Sequence, residues 1–101
     1  MNFVVFDLEW NMASPGFSGS REEKEAMPYE IVEIGAVKFD PETFKMKKFQ
    51  TRIRPELYVK LNKKVAEVTG LTQLSLNTGQ KFPDAAKAFF KYCGENYCLC
   101  T

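Results

Sequence analysis

The chain contains no histidine, which removes the commonest partner of cysteine in zinc sites. It has three cysteines, Cys93, Cys98 and Cys100, and none is set at Cys-x-x-Cys spacing. A zinc site is therefore not expected. The odd number argues against a disulfide framework and fits a reducing cytoplasm. No apolar run is long enough to span a membrane. The N-terminal apolar run has no basic region before it and contains Asp7 and Glu9, so it does not read as a signal peptide. The chain also lacks an excess of charge of one sign: its net charge is +1, which points to no particular partner.

What is present is enough apolar residue, 45% of 101, for one small domain and too little chain for two. The charge is segregated locally. Acids dominate before Phe44, whereas Lys45 to Lys64 carries eight basic residues against Glu56 alone. A basic segment beside an acidic pocket suits a polyanion held near a metal; a solvated strand face explains the same residues.

Asn2 to Leu8 reads as a strand with apolar residues on both faces, hence central in its sheet and covered on both sides. Met12 to Met27 reads as a long polar loop. Glu30 to Phe39 and Phe44 to Arg54 read as a hairpin, with Asp40-Pro41-Glu42-Thr43 as its turn. Phe49, Thr51 and Ile53 fall on one side of the third strand, and Pro55 ends it. Asn62 is placed to cap a helix over Lys63 to Val68, with Gly70 at its C-terminal end, and Thr72 to cap another turn. Pro83 opens a last helix whose apolar stripe runs through Ala85, Ala86, Phe89, Phe90 and Cys93. Asn96 to Thr101 begins a strand expected to lie parallel to the first. The class is α/β: a three-stranded antiparallel start, helices, then the beginning of a parallel strand.

Strand periodicity puts Asp7 and Glu9 on one face, about 6.5–7 Å apart. Both follow the apolar run and so lie at the strand's C-terminal end, where open α/β sheets place their ligands. Two carboxylates this close repel unless neutralised. A divalent cation such as Mg2+ or Mn2+ does so, and such a pair supports two-metal hydrolysis of a phosphodiester. An Asp-x-Glu past a strand is also common as a solvated loop mouth.

The run Val-Val-Phe-Asp-Leu-Glu-Trp-Asn, followed by Glu-Ile-Val-Glu-Ile-Gly-Ala-Val-Lys, resembles the first motif and second strand of the DEDD-type 3′-to-5′ exonucleases, which have a ribonuclease H-like fold and include ribonuclease T and the proofreading subunit of bacterial replicative polymerase. Phe49 to Pro55 resembles that family's third strand. Val68-Thr69-Gly70-Leu71-Thr72 resembles a stretch that in many members reads His-Gly-Ile-Thr, with Thr69 in place of the histidine. The resemblance implies a catalytic and metal-binding role for Asp7 and Glu9, and a Mg2+ or Mn2+ cofactor. It implies contacts from Leu8, Trp10, Thr69, Gly70 and Leu71 to the 3′-terminal nucleotide of single-stranded RNA or DNA. Trp10 reads equally as a core anchor, and Thr69 to Leu71 as a helix cap. Glu33 matches a supporting glutamate.

The family's second- and third-motif aspartates and its histidine or tyrosine base have no counterpart here. Residues 1–101 are thus expected to be a single partial domain, inactive or nearly so alone. The alternatives are a non-catalytic module that binds nucleic acid through Arg52, Arg54, Lys63 and Lys64, or a piece that completes its sheet by pairing the C-terminal strand with another chain.

Overall fold

A computed structural model describes residues 1–101. Four strands form one sheet in the order β3-β2-β1-β4. They are β1 (Asn2–Asn11), β2 (Glu30–Phe39), β3 (Met46–Arg52) and β4 (Tyr97–Cys100). The β1–β2 and β2–β3 pairs are antiparallel, and β4 runs parallel to β1. This is the α/β arrangement expected, with the parallel strand reached through the helical crossover.

The helices are α1 (Arg21–Ala26), α2 (Lys63–Thr69), α3 (Gln73–Asn77) and α4 (Phe82–Cys93). Asn62 caps α2 by accepting from the backbone N–H groups of Lys64 and Val65, and Gly70 closes it at φ 76. Thr72 caps α3. The expected loop over Met12 to Met27 contains α1. Ser20 and Glu23 form a capping box, and Arg21 pairs with Glu25 one turn on. Local side-chain bonds thus organise a mixed-charge run that has no apolar stripe to announce a helix. The third strand is shorter than expected, because Phe44 takes a positive φ of 59 in the turn. No helix is long and apolar enough to cross a membrane.

Helix α4 lays Ala85, Phe89 and Cys93 on Val4, Ile34, Ala36 and Ile53. Phe6, Leu8 and Phe49 complete that layer, as alternation along each strand requires. A smaller cluster of Val32, Leu71 and Leu76 holds α2 and α3. The opposite sheet face carries no helix. Phe3 is 36% and Val5 50% exposed, so β1 is interior to the sheet as expected but is not covered on both faces. The physical reason is that α4 is the one long amphipathic helix, and it lies on the Val4 side.

Candidate active site

The bare sheet face is organised in rows. Asp7 lies opposite Gly35 and Glu9 opposite Glu33 on β2; in turn Gly35 faces Gln50 and Glu33 faces Arg52 on β3. Asp7 and Glu9 therefore share a face, as their spacing requires. The register shifts after Glu9, where a bulge separates it from Trp10. Such irregularities re-aim side chains at strand ends.

Glu33 joins the acidic group but is neutralised: the Arg52 Nε donates to its Oε2 at 3.2 Å. The chain's other ion pair is Arg21 with Glu25, so Asp7 and Glu9 have no basic partner. Burial pushes the Glu9 carboxyl up from its ordinary value, and the charges of Asp7 and Glu33 push it further. That is the signature of carboxylates placed together without a counter-charge. A depression of about 460 Å³ opens beside Asp7, its lining including Val5, Gly35, Val37, Lys48 and Gln50. Gly35 leaves its floor flat, since a Cβ there would meet nothing within 4 Å.

Two carboxylates on one strand face suit Mg2+ or Mn2+ by donor type. Glu33 stands beside them but is held by Arg52, and no three acidic, thiol or imidazole groups are placed to hold an ion. The residues fit one side of such a site.

The other sequence-predicted contacts lie elsewhere. Leu8 packs half-buried on the core under α4. Trp10 lines a separate cavity of about 420 Å³ with Tyr29, Ile31, Arg54 and Phe82. Thr69 donates its hydroxyl to the Val65 carbonyl at 2.7 Å and accepts from the Leu71 N–H at 3.1 Å. Gly70 supplies the left-handed turn, and Leu71 is buried against Val32 and Leu76. All three serve the end of α2.

Two polar residues that sequence reasoning passed over hold the site end of the sheet. Asn11 is fully buried; it donates to the carbonyls of Tyr58 (2.8 Å) and Lys60 (3.0 Å) and accepts from the Asn62 N–H (2.9 Å). Glu30 accepts from the N–H groups of Glu56, Leu57 and Tyr58. These bonds clamp the segment after β3 to the C-terminal end of β1 and the start of β2. A polar residue ending an apolar strand is the only signal Asn11 offers, and it does not name partners so distant in sequence.

A four-stranded mixed sheet with paired carboxylates at the end of its first strand defines a ribonuclease H-like fold with one flank of an acidic site. Residues 4–101 match the exonuclease family typified by RNase T, and the chain belongs to that family. No curated protein matches it. Among solved structures, the nuclease domain of 3′hExo, described as a DEDDh family member bound to rAMP, is 23% identical with a TM-score of 0.76; the match covers 97% of this chain and 50% of that one. Cell-death related nuclease 4 is 19% identical at a TM-score of 0.73, with 97% and 33% covered. Exonuclease I of E. coli in complex with an oligonucleotide is 16% identical at 0.61, with 97% and 20% covered. These likenesses establish the fold. The chain spans half or less of the length of each of those structures.

Proposed function

We propose that the protein is a 3′-to-5′ exonuclease in descent and chemistry, acting on single-stranded RNA or DNA, and that residues 1–101 supply one side of its two-metal site. The observation that carries this reading is the pair Asp7 and Glu9: two carboxylates on one face at a strand end, beside Glu33 and without a basic partner. Mg2+ or Mn2+ bound there supplies an activated water and stabilisation of the leaving oxygen. The chain's own part is to hold Asp7 and Glu9 on a rigid interior strand, with the Asn11 and Glu30 bonds fixing its end. Exposed Arg54, Lys63 and Lys64 offer charge to a nucleic-acid backbone. Leu8, Trp10, Thr69, Gly70 and Leu71 are assigned by resemblance to the rim of the 3′-nucleotide site. In this reading the remaining ligands and the general base come from polypeptide outside these 101 residues, so the chain alone does not turn over. Three free thiols suit the reducing cytoplasm. The open edge of β4 offers a place for another strand.

The test is Mn2+ binding followed by electron paramagnetic resonance, together with nucleotide release from 3′-labelled single-stranded RNA and DNA. Weak binding that falls about tenfold or more in Asp7→Ala, is unchanged in Glu42→Ala, and comes with no release from the chain alone is the expected result. Binding indifferent to Asp7→Ala would sink the metal reading. Release that disappears in Asp7→Ala would show that another chain completes the set.

A further inference from the structure

At the register shift between Glu9 and Trp10 the sheet turns one side chain to each face. Glu9 stays with Asp7 on the bare face. Trp10 alternates away from it, and its partner on β2, Ile31, packs on the core under α4. Trp10 therefore walls the cavity of about 420 Å³ on the α4 side, a volume within the range of about 300–1,000 Å³ found for small-ligand sites. Buried Ile53 forms its floor. Its rim is three aromatic rings from three places in the chain: Trp10 near the end of β1, Tyr29 just before β2 and Phe82 at the start of α4. They are 43%, 55% and 50% exposed, a share of water that Trp and Phe ordinarily avoid. Arg54 stands at the same cavity. Its guanidinium has no ion-pair partner, since the chain's two pairs use Arg21 and Arg52. Of the acids in the wall, Glu30 is engaged by the backbone N–H groups of Glu56, Leu57 and Tyr58, and Glu56 lies beyond ion-pair distance of Arg54.

We propose that this cavity takes an unpaired base of single-stranded nucleic acid, stacked among Trp10, Tyr29 and Phe82, with Arg54 on an adjoining phosphate. It rests on the single-stranded substrate proposed for the acidic pair. Aromatic rings beside a cation hold single strands without regard to sequence, because every base has a π face. A base within a duplex has no free face to offer, so the cavity selects against paired strands. Asp7 and Glu9 lie on the opposite face at the same strand end. The base held here is therefore not the one at the scissile bond but one upstream of the 3′ terminus. The walls come from the end of β1, the start of β2, the segment after β3 and the start of α4. Gln80 ties the last two together through its backbone bonds to Arg52 and Arg54. The cavity needs no part of the acidic site, and the chain alone is expected to hold a single strand without cleaving it.

Trp10 is the only tryptophan in the chain, so its fluorescence reports on the cavity directly. Titration of the full chain with a short oligodeoxyadenylate, in EDTA to keep divalent ions from Asp7 and Glu9, is expected to quench it. A duplex, or an abasic strand of the same length and charge, is expected to leave it unchanged. Tyr29→Ala and Phe82→Ala are each expected to weaken binding about fivefold or more, with unchanged circular dichroism. Tyr29 is the more exposed of the two, so its variant carries the test should Phe82→Ala unfold the start of α4. Phe44→Ala removes an exposed ring in the β2–β3 turn and is expected to change nothing. Arg54→Gln is expected to weaken binding and to lower its dependence on salt. A quench as large with the abasic strand overturns the proposal, since the backbone alone would then be held. So does the absence of a quench, or binding indifferent to Tyr29→Ala. Because no metal is present, a failure of Mn2+ binding at Asp7 leaves this result standing, and a failure here leaves the metal reading intact.

Discussion

At the level of single residues, the carboxylate pair costs the fold something and the buried amide holds it together. Glu9 ionises above its ordinary value because of burial, Asp7 and Glu33. The folded chain therefore keeps that proton longer than the unfolded one. The advantage is present below the unfolded value of 4.5 and is lost as pH rises through the higher folded value. Asp7→Asn removes one source of the repulsion. It should raise urea stability at neutral pH, by less than about 1 kcal/mol given the partial exposure of Glu9, with the gain shrinking near pH 4. The same variant should lose Mn2+ binding. Asn11 has the opposite weight. Asn11→Ala strands the Tyr58 carbonyl and the Asn62 N–H in a buried place, while the Lys60 carbonyl keeps the Ser14 hydroxyl; it is expected to cost about 2–4 kcal/mol in urea unfolding. The contrast also explains which residues are legible. Asp7 and Glu9 declare themselves through a period of two within one strand. Asn11 and Glu30 act through backbone groups 26 to 51 positions away, and nothing local encodes that distance.

Among the elements, those with their own stop signals are the ones readable in advance. Helix α2 begins at an Asn cap and ends at Gly70, and α4 begins beside Pro83 and ends at Gly94. The β2–β3 hairpin follows from alternation and the Asp40–Thr43 turn. Helix α1 hid inside a polar run because it rests on a capping box and a single ion pair, not on buried area. Two glycines show how differently the same residue can serve. Gly70 needs a left-handed backbone and has empty space around it, whereas a Cβ on Gly79 would sit 2.7 Å from the Arg54 backbone nitrogen. That approach lets Gln80 bond to the backbone of Arg52 and Arg54, tying the chain before α4 to the end of β3. Gly70→Ala should cost about 1 kcal/mol, the ordinary penalty of a Cβ in that conformation. Gly79→Ala must displace backbone and should cost more, about 2–3 kcal/mol. Chemical denaturation of the two variants, side by side, checks the order.

The whole molecule is more extended than its length calls for. Its radius of gyration is 15.4 Å with extents of 51 × 26 × 21 Å, against about 13 Å for a compact chain of this length. Alternation in β1 pointed to cover on both faces, and it was right about the residues: Phe3 and Val5 are apolar on the side that α4 does not reach. What it did not reveal is that the 101 residues contain cover for one face alone, because a strand pattern records what a face is suited to and not what lies on it. Stability of such a chain is tied to whatever meets the bare face. The folded chain leaves 7062 Å² in water, more than the roughly 5,800 Å² of a compact protein of 11.6 kDa, so unfolding exposes less new surface. The slope of its stability against urea should therefore lie near the low end for small proteins, about 1 kcal/mol/M. Urea unfolding followed by circular dichroism checks this: a slope of about 2 kcal/mol/M or more means that the bare face is covered in solution.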